Sequence, residues 1–385
     1  MRIGLCALAL GAGMAAQGAA PVITDTAMVP RFTIQSDLGV TNQIQYCTNL
    51  NQTNWVVLTN LVVTQSPYWF VDAGAPPAPR RFYRVLALGT NSPVPPGMAL
   101  IPAGSFTMGN CMDPDEGYSD ELPLHTVNVS AFYMDKNPVT KGLWDAVYQW
   151  ATTRPVGMRY SFEYGAQGKA SNHPAQSMTW YDCVKWCNAR SEMEGRVPAY
   201  YTEAGQANVY RSGQINVQNG WVKWSTGYRL PTEAEWEKAA RGPASGHRFP
   251  WGDTISWGQA NYYALPLSAG GWAYDVNATE GYNPAGTSGG GPYTTAVETF
   301  APNGYGLYDM AGNVWQWCWD SWDGAYYSSS PGTDPRGPAT GSDRVHRGGG
   351  WGDYAFVCRS AGRGGGLPGG RGGGLGFRVA LVPVP

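Results

Sequence analysis

Residues 344–381 read RVHRGGGWGDYAFVCRSAGRGGGLPGGRGGGLGFRVAL, and two kinds of position alternate within them after Trp351. Neither a strand period nor a helix period gives this spacing. A flexible linker would not carry regularly placed arginines followed by the apolar segment GFRVAL. The pattern therefore predicts a folded segment in which a framework is interrupted by short gaps, most of them filled by glycine. The framework comprises Ala355, Cys358, Arg359, Ser360, Ala361, Arg363, Pro368, Arg371 and residues 375–378.

The segment resembles the variable region of proteins diversified by retroelements, in which adenine-specific mutagenesis randomises asparagine codons while the framework stays fixed. Every residue in the gaps can be reached from AAC or AAT by changing adenines alone, and two A-to-G changes give glycine. A glycine-rich low-complexity loop is the alternative explanation. The resemblance implies a ligand-binding surface made of Gly352, Asp353, Tyr354, Phe356, Val357, Gly362, Gly364, Gly365, Gly366, Leu367, Gly369, Gly370, Gly372, Gly373 and Gly374.

Length and composition limit the class of protein. A chain of 385 residues predicts two domains. The charge is nearly balanced, with 28 acidic and 26 basic residues, which argues against nucleic acid as a partner. Seventeen Trp and 23 Tyr beside 52 Gly and 29 Pro indicate a loop-rich fold held together by aromatic side chains.

The N-terminal residues 1–20 are typical of a secretory signal peptide, with Arg2, a short apolar run and small residues before the expected cleavage site. The apolar run is too short for a transmembrane segment. We therefore expect a secreted or cell-surface protein. Export would permit disulfides among the remaining cysteines without assigning their pairing.

Residues 22–88 are predicted to form a small β-rich module. Runs rich in β-branched and aromatic residues at 31–34, 43–46, 55–58, 69–71 and 81–85 are separated by Gly, Asn, Pro and Asp. The module resembles the fibronectin-like sandwiches of secreted bacterial proteins and is expected to serve as a spacer or docking module. Residues 89–97 form a proline-rich linker.

The predicted second domain, residues 98–382, carries several motifs in order. They are IPAGSFTMG at 101–109, FYMD at 132–135, RLPTEAEWE at 229–237, FPWG at 249–252 and NGYGLYDMAGNVWQW at 303–317. Helices are predicted near Leu143 to Trp150, after Ser177 with Trp180, Val184, Cys187 and Ser191 on one face, and from Pro231 as first helical residue. The motifs resemble the formylglycine-generating enzyme (sulfatase-modifying factor) family. This resemblance implies an α+β, C-type-lectin-like domain with few helices, small twisted sheets and many loops.

The resemblance also bears on copper. The oxidases of the family hold copper(I) with two cysteines of a Gly-Gly-Ser-Trp-x-Cys-x4-Cys segment, and two thiolates suit this soft ion. Here the first cysteine falls at Asp353, and Cys358 alone meets the second position. One thiolate cannot form the pair, so copper is not expected. Cys358 is then a buried thiol or a disulfide partner, for example of Cys187, and a catalytic thiol is the alternative.

The resemblance further implies structural calcium. One family calcium loop would use Asp309, the carbonyls of Gly312 and Val314, and Gln316. A second would begin at Asn261 and the Tyr262 carbonyl. Oxygen ligands of this kind suit calcium. A loop held by hydrogen bonds alone is the alternative.

Taken together, the sequence predicts a non-catalytic ligand-binding protein whose variable surface faces a protein or another cell-surface ligand. Aromatic side chains supply most binding energy at such surfaces, whereas ten of the fifteen positions are glycine, which predicts weak binding by this copy. A formylglycine-generating oxidase, or another metal-dependent oxidoreductase of the family, is the alternative. A structural protein without diversification is a third possibility.

Overall fold

The computed structural model describes residues 22–26, 31–35, 41–48, 55–62, 68–72, 81–87, 94–110, 112, 116–243 and 246–383. The chain divides into two compact units between Val94 and Pro95. The predicted signal peptide at 1–20 and most of the predicted linker lie outside the described residues. Within the described part of the chain, no helix is both long and apolar enough to cross a bilayer.

The first unit consists of two antiparallel three-stranded sheets around a small core. Its strands are β1 (Val22–Thr26), β2 (Arg31–Gln35), β3 (Thr41–Cys47), β4 (Val56–Val62), β5 (Tyr68–Val71) and β6 (Phe82–Ala87). The strand orders are β1-β2-β5 and β4-β3-β6. Ile34 of one sheet and Ile44 of the other are fully buried in the same apolar cluster. Two sheets that share a core match the predicted sandwich-like module.

The second unit combines helices, short strands and long loops, which confirms the predicted α+β class. Its helices are α1 (Lys141–Thr152), α2 (Trp180–Met193), α3 (Glu233–Arg241) and α4 (Pro284–Thr287). Its strands are β7 (Met98–Ile101), β8 (Gly104–Met108), β9 (His125–Val129), β10 (Phe132–Asp135), β11 (Tyr263–Ala264), β12 (Gly281–Tyr282), β13 (Trp315–Ser321), β14 (Arg344–Arg347), β15 (Arg363–Gly366), β16 (Leu375–Phe377) and β17 (Ala380–Leu381). The sheets are β17-β10-β7, β8-β9, β11-β12 and β15-β14-β13-β16.

Threonine side chains begin the three longer helices. Thr140 accepts a hydrogen bond from the first turn of α1, and Thr179 does the same for α2. Thr232 and Glu235 form a capping box at the start of α3. The prediction that Pro231 is the first helical residue was wrong. Because the Thr232 hydroxyl caps the helix, Thr232 takes an extended conformation and Pro231 lies outside.

Helix α2 is more deeply buried than the one-faced pattern predicted. Asp182 and Lys185 lie off the predicted apolar face and are nevertheless fully buried. Their side chains pair at 3.1 Å, which partly compensates the cost of removing both charges from water. The helix therefore lies inside the domain.

The four-stranded sheet contains three strands of the 344–381 segment, β14, β15 and β16, and separates two hydrophobic cores. Strand β13 runs parallel to β16 and antiparallel to β14, and β15 and β16 are the two edge strands. Alternate residues of β13 point to opposite faces. Trp317 packs into a core with Trp180 of α2, whereas Cys318 packs into a core with Trp236 of α3. Between its strands, the segment passes over the surface in loops.

Candidate functional site

Solvent exposure separates the two classes of position in the 344–381 segment. Of the fifteen predicted variable positions, seven are exposed, six are half-buried and two, Gly362 and Gly374, are buried. Every framework residue is buried except Pro368 and Arg371. We call the fifteen positions the variable surface. The glycines are therefore not distributed at random between the interior and the solvent.

Two framework arginines anchor the loops of the variable surface to other elements. Arg359 donates two hydrogen bonds, of 2.7 and 2.6 Å, to Glu121 in the 3-10 turn Ser119–Glu121. Arg363 likewise donates bonds of 2.7 and 2.9 Å to Glu233 at the start of α3. Paired Arg–carboxylate bonds of this kind fix both distance and orientation. The chain is thus held at defined points on either side of the Gly362 turn.

Several glycines of the variable surface have room for a side chain. A Cβ atom added at Gly352 or Gly373 would meet no atom within 4 Å. At Gly372 it would lie 4.0 Å from the Cβ of Leu375, and at Gly369 it would lie 3.5 Å from Oε1 of Gln214. These are ordinary van der Waals distances or longer. Larger residues can therefore occupy these positions without moving the framework.

Other glycines have a steric or conformational requirement of their own. An added Cβ at Gly362 would lie 2.7 Å from the carbonyl oxygen of Val357, and Gly374 has a φ of +86°. In β15 the obstacle is an aromatic side chain instead. An added Cβ at Gly364 would lie 2.3 Å from Cε1 of His346, and one at Gly365 would lie 2.5 Å from Cγ of Trp322. Side chains at 364 and 365 therefore require these rings to move.

The apolar part of the variable surface consists of its four apolar or aromatic residues, Tyr354, Phe356, Val357 and Leu367. Leu367 is 65% exposed, and Tyr354 is 45% exposed. Phe356 is half-buried and stacks on Trp272 with ring centroids 5.5 Å apart. Val357 is half-buried in the 3-10 turn Ala355–Cys358.

Fixed aromatic residues that no sequence pattern indicates extend this surface. Tyr263 lies against Tyr354 with centroids 5.6 Å apart, and it also contacts Tyr282, which contacts Tyr293. These residues come from the 262–293 region, far from the variable segment in sequence. Their spacing carries no signal, because short strands and loops rather than a regular element bring them together.

Asp353 occupies the position predicted for the first copper-binding cysteine, and hydrogen bonds fix its carboxylate. Oδ2 of Asp353 accepts hydrogen bonds from Trp315 Nε1 at 2.7 Å and from the backbone amide of Gly350 at 3.0 Å. Burial raises the pKa of this carboxyl group. Asp353 is therefore a structural link between the variable segment and β13 as well as a half-buried surface residue.

Cys358 is fully buried, and burial raises the pKa of its thiol well above the usual value. All five cysteines among the described residues are free thiols. The suggested disulfide to Cys187 is wrong, because Cys187 lies in the core around α2, whereas Cys358 lies in a separate cluster with Phe249 and Tyr262. The described residues offer no second thiolate beside Cys358. They do not fit a copper(I) ion held by two cysteines.

In the first predicted calcium loop, most of the side-chain oxygens that could bind calcium already accept hydrogen bonds from the protein. Oδ1 of Asp309 accepts from Asn313 at 3.1 Å, while Oδ2 is buried without a hydrogen bond of ordinary geometry. Burial raises the pKa of Asp309 to about 6. Gln316 donates to the Asp309 carbonyl at 2.8 Å, and its Oε1 accepts from Trp236 and Arg378 at 2.8 and 2.6 Å. Gln316 is thus fully committed to protein partners.

The structure brings the second predicted loop against the first. The amide of Asn313, between Gly312 and Val314, donates to the Asn261 carbonyl at 2.7 Å. Next along the chain, the Tyr262 hydroxyl donates to Asp275 at 2.7 Å. No cluster of three or more His, Cys, Asp or Glu side chains suited to a metal occurs among the described residues. Calcium takes roughly six to eight oxygen ligands, and Gln316 could join such a site only by giving up its present hydrogen bonds; calcium binding at these loops stays a prediction.

Comparison with known proteins gives consistent matches. The family described as sulfatase-modifying factor enzyme 1-like domain matches residues 87–382. A Streptomyces coelicolor protein named formylglycine-generating enzyme is 33% identical, over 74% of this chain and 88% of its own length. A Thermomonospora curvata protein of the same name is 34% identical, over 75% and 94%. The solved structure of Treponema denticola variable protein 1 matches with a TM-score of 0.55 and 31% identity, over 74% of this chain and 95% of that one.

Proposed function

We propose that this chain, which belongs to the sulfatase-modifying factor enzyme 1-like family, is a secreted or cell-surface protein that binds a ligand without catalysing a reaction. One observation carries the proposal: thirteen of the fifteen positions predicted to vary are exposed or half-buried, whereas the framework between them is mostly buried. A scaffold with this division can change its contact residues while keeping its fold, which is the arrangement found in loops that carry recognition.

Two further observations support the proposal. The likeness to Treponema denticola variable protein 1 extends over 74% of this chain, and retroelement diversification of residues 352–374 is the corresponding proposal here. In addition, Asp353 stands where the oxidases carry a copper-binding cysteine, and its carboxylate is bound by Trp315. The ligand we expect is a protein or another cell-surface component, reached mainly through Tyr354, Phe356 and Leu367.

A selection experiment tests whether the scaffold can serve this function. Positions 352, 354, 367, 369, 372 and 373 are varied with the codons that adenine mutagenesis of AAC and AAT can produce, and the folded library is selected on an immobilised model protein such as lysozyme. We expect most members to fold and specific binders to emerge. A library that is mostly unfolded, or binders whose affinity does not depend on these positions, would count against the proposal.

A formylglycine-generating oxidase remains the second candidate, because two relatives of that name are 33% and 34% identical to the chain. Copper(I) titration of the reduced protein, followed by turnover of a cysteine-containing peptide with O2, distinguishes the two. We expect neither binding nor turnover. The variant Asp353→Cys, which restores the first cysteine of the motif, is the positive control for copper binding. Stoichiometric copper and peptide oxidation by the unaltered protein would establish the oxidase instead.

A further inference from the structure

A polar cleft lies beside the variable surface and contains two arginine side chains. It is a shallow recess that opens to solvent. Residues from three parts of the chain line it, including Asn216, Asn219, Trp319, Ser321, Arg336 and Arg344. Arg344 pairs with Gly366 across β14 and β15, so the cleft adjoins a variable position.

Arg344 forms the base of this cleft and is only 4% exposed. Its guanidinium lies over the ring of Trp180 at 3.9 Å. It donates one hydrogen bond to the carbonyl of Trp319 at 2.7 Å and another to Oδ1 of Asn216. Among the described residues, no carboxylate lies within 4.0 Å of it. Neutral oxygens alone therefore face a buried cation.

Other buried arginines of the domain are compensated more fully. Arg347, Arg359 and Arg363 each pair with a glutamate. Within the described part of the chain no carboxylate pairs with Arg378, but it donates to four backbone carbonyls and to the side chain of one glutamine. Arg344 donates to only two acceptors, and burial lowers the pKa of Arg344, like that of Arg378, to about 10. Burying a cation without a paired anion is costly, so this site is short of negative charge.

A nearby acid, Asp320, forms no ion pair with Arg344, although its charge acts to raise the pKa of Arg344. Asp320 is adjacent to Trp319 on β13, but its Oδ2 accepts from the backbone amide of Glu233 at 2.8 Å. Burial raises the pKa of Asp320 well above its usual value, which weakens this compensation. At the rim, Arg336 is exposed and lies over the ring of Trp224 at 4.1 Å. Both guanidinium groups are thus oriented by tryptophans and remain available to an anion.

We propose that this cleft is a binding site for an oxyanion group, a carboxylate, sulfate or phosphate, with Arg344 at its base and Arg336 at its rim. Arginine donors recognise such groups through charge-assisted hydrogen bonds. The site uses fixed residues only, so it stands whether or not the variable surface is diversified. A ligand bound across Gly366 could place an acidic group in this cleft, and the neighbouring variable positions would contact the remainder of the ligand.

The test compares acetate, sulfate and phosphate with chloride at equal ionic strength, using the full chain, thermal unfolding and isothermal titration. Arg336→Gln removes the rim cation, and we expect roughly tenfold weaker binding or more, since a hydrogen bond to a charged group is lost. Asn216→Asp places a carboxylate where the amide oxygen already accepts from Arg344. This variant should melt at a higher temperature without added anion and should lose the anion response. Asn172→Asp, an exposed substitution of the same charge, is the matched control.

The three anions identify the preferred chemistry. A preference for acetate indicates an acidic side chain or carboxylate sugar, and a preference for sulfate or phosphate indicates an esterified group. Anion binding that exceeds the chloride control and is lost in both Arg336→Gln and Asn216→Asp supports the site. No binding beyond chloride, or equal binding by these variants and Asn172→Asp, would overturn it.

Discussion

The pair between Arg359 and Glu121 gives a quantitative test of how the variable surface is supported. Both side chains are almost completely buried, at 2% and 0% exposure, and two short hydrogen bonds join them. In Arg359→Leu, Glu121 would keep one long hydrogen bond, from the amide of Tyr118 at 3.3 Å. Removing one partner of a buried pair costs about 3–5 kcal/mol, because the other charge is left uncompensated.

The expected loss is measurable as a shift in thermal unfolding. At about 2 °C per kcal/mol for a domain of this size, Arg359→Leu should lower the Tm by about 6–10 °C. Tryptophan fluorescence reports mainly on the second unit, because 15 of the 17 tryptophans lie after Pro95. Arg371→Leu is the control, since this exposed arginine lies over the half-exposed ring of Tyr164 and should contribute less than about 1 kcal/mol.

A double variant separates loss of the pair from simple loss of packing. Replacing both Arg359 and Glu121 by leucine removes both charges together, and the lost stability should largely return. The reasoning would be refuted if Arg359→Leu cost no more than Arg371→Leu. It would also be refuted if the double variant were no more stable than the single one.

Three further predictions concern the glycines and the Asp309 loop. Gly373→Ser should change the free energy of unfolding by less than about 0.5 kcal/mol, because the position is open. Gly362→Ser should lower it by more than about 1 kcal/mol, because the Val357 carbonyl occupies the space of the added Cβ. Urea unfolding of the two variants measures both changes. The pKa of Asp309 is raised to about 6 in the fold, so its contribution to stability falls as pH rises from about 4 to about 6. Asp309→Asn should therefore raise the Tm at pH 7.5 in EDTA and not at pH 4, and equal effects at both would contradict this. Calcium added after EDTA tests the calcium prediction: bound calcium should raise the Tm, and an unchanged Tm, which the commitment of Gln316 to Trp236 and Arg378 favours, would count against it.

The sequence predicted the structure correctly where the type and spacing of residues indicate a local conformation. Regularly placed arginines predicted a folded segment, and buried glutamate partners explain two of them, Arg359 and Arg363. Helical spacing located α1 and α2 because each has a buried apolar side and a threonine cap. The alternation of glycine-rich gaps with other residues also distinguished the variable positions from the framework, but it did not predict which of these residues are exposed to solvent.

The remaining features depend on contacts that are distant along the chain. Glu121 and Glu233 carry no local sign that they pair with arginines more than a hundred residues away. The same limit hid the ring contacts of Tyr263 and Trp272, and it made a Cys187–Cys358 disulfide conceivable although the two thiols lie in different cores. Gly362 and Gly374 matched the variable pattern, yet each has a structural reason to be glycine. The Val357 carbonyl leaves no room for a Cβ at Gly362, and Gly374 has a positive φ.

The central claim is that residues 352–374 form a surface built to change, and the nucleotide sequence of the gene and its flanks tests this most directly. We predict that the codons at the fifteen variable positions end in C or T. We also predict a nearby repeat with AAC or AAT at the same positions, beside a reverse-transcriptase gene. Glycine codons GGA or GGG at these positions, with no such repeat, would contradict the account and leave a glycine-rich loop on a non-diversified member of the family.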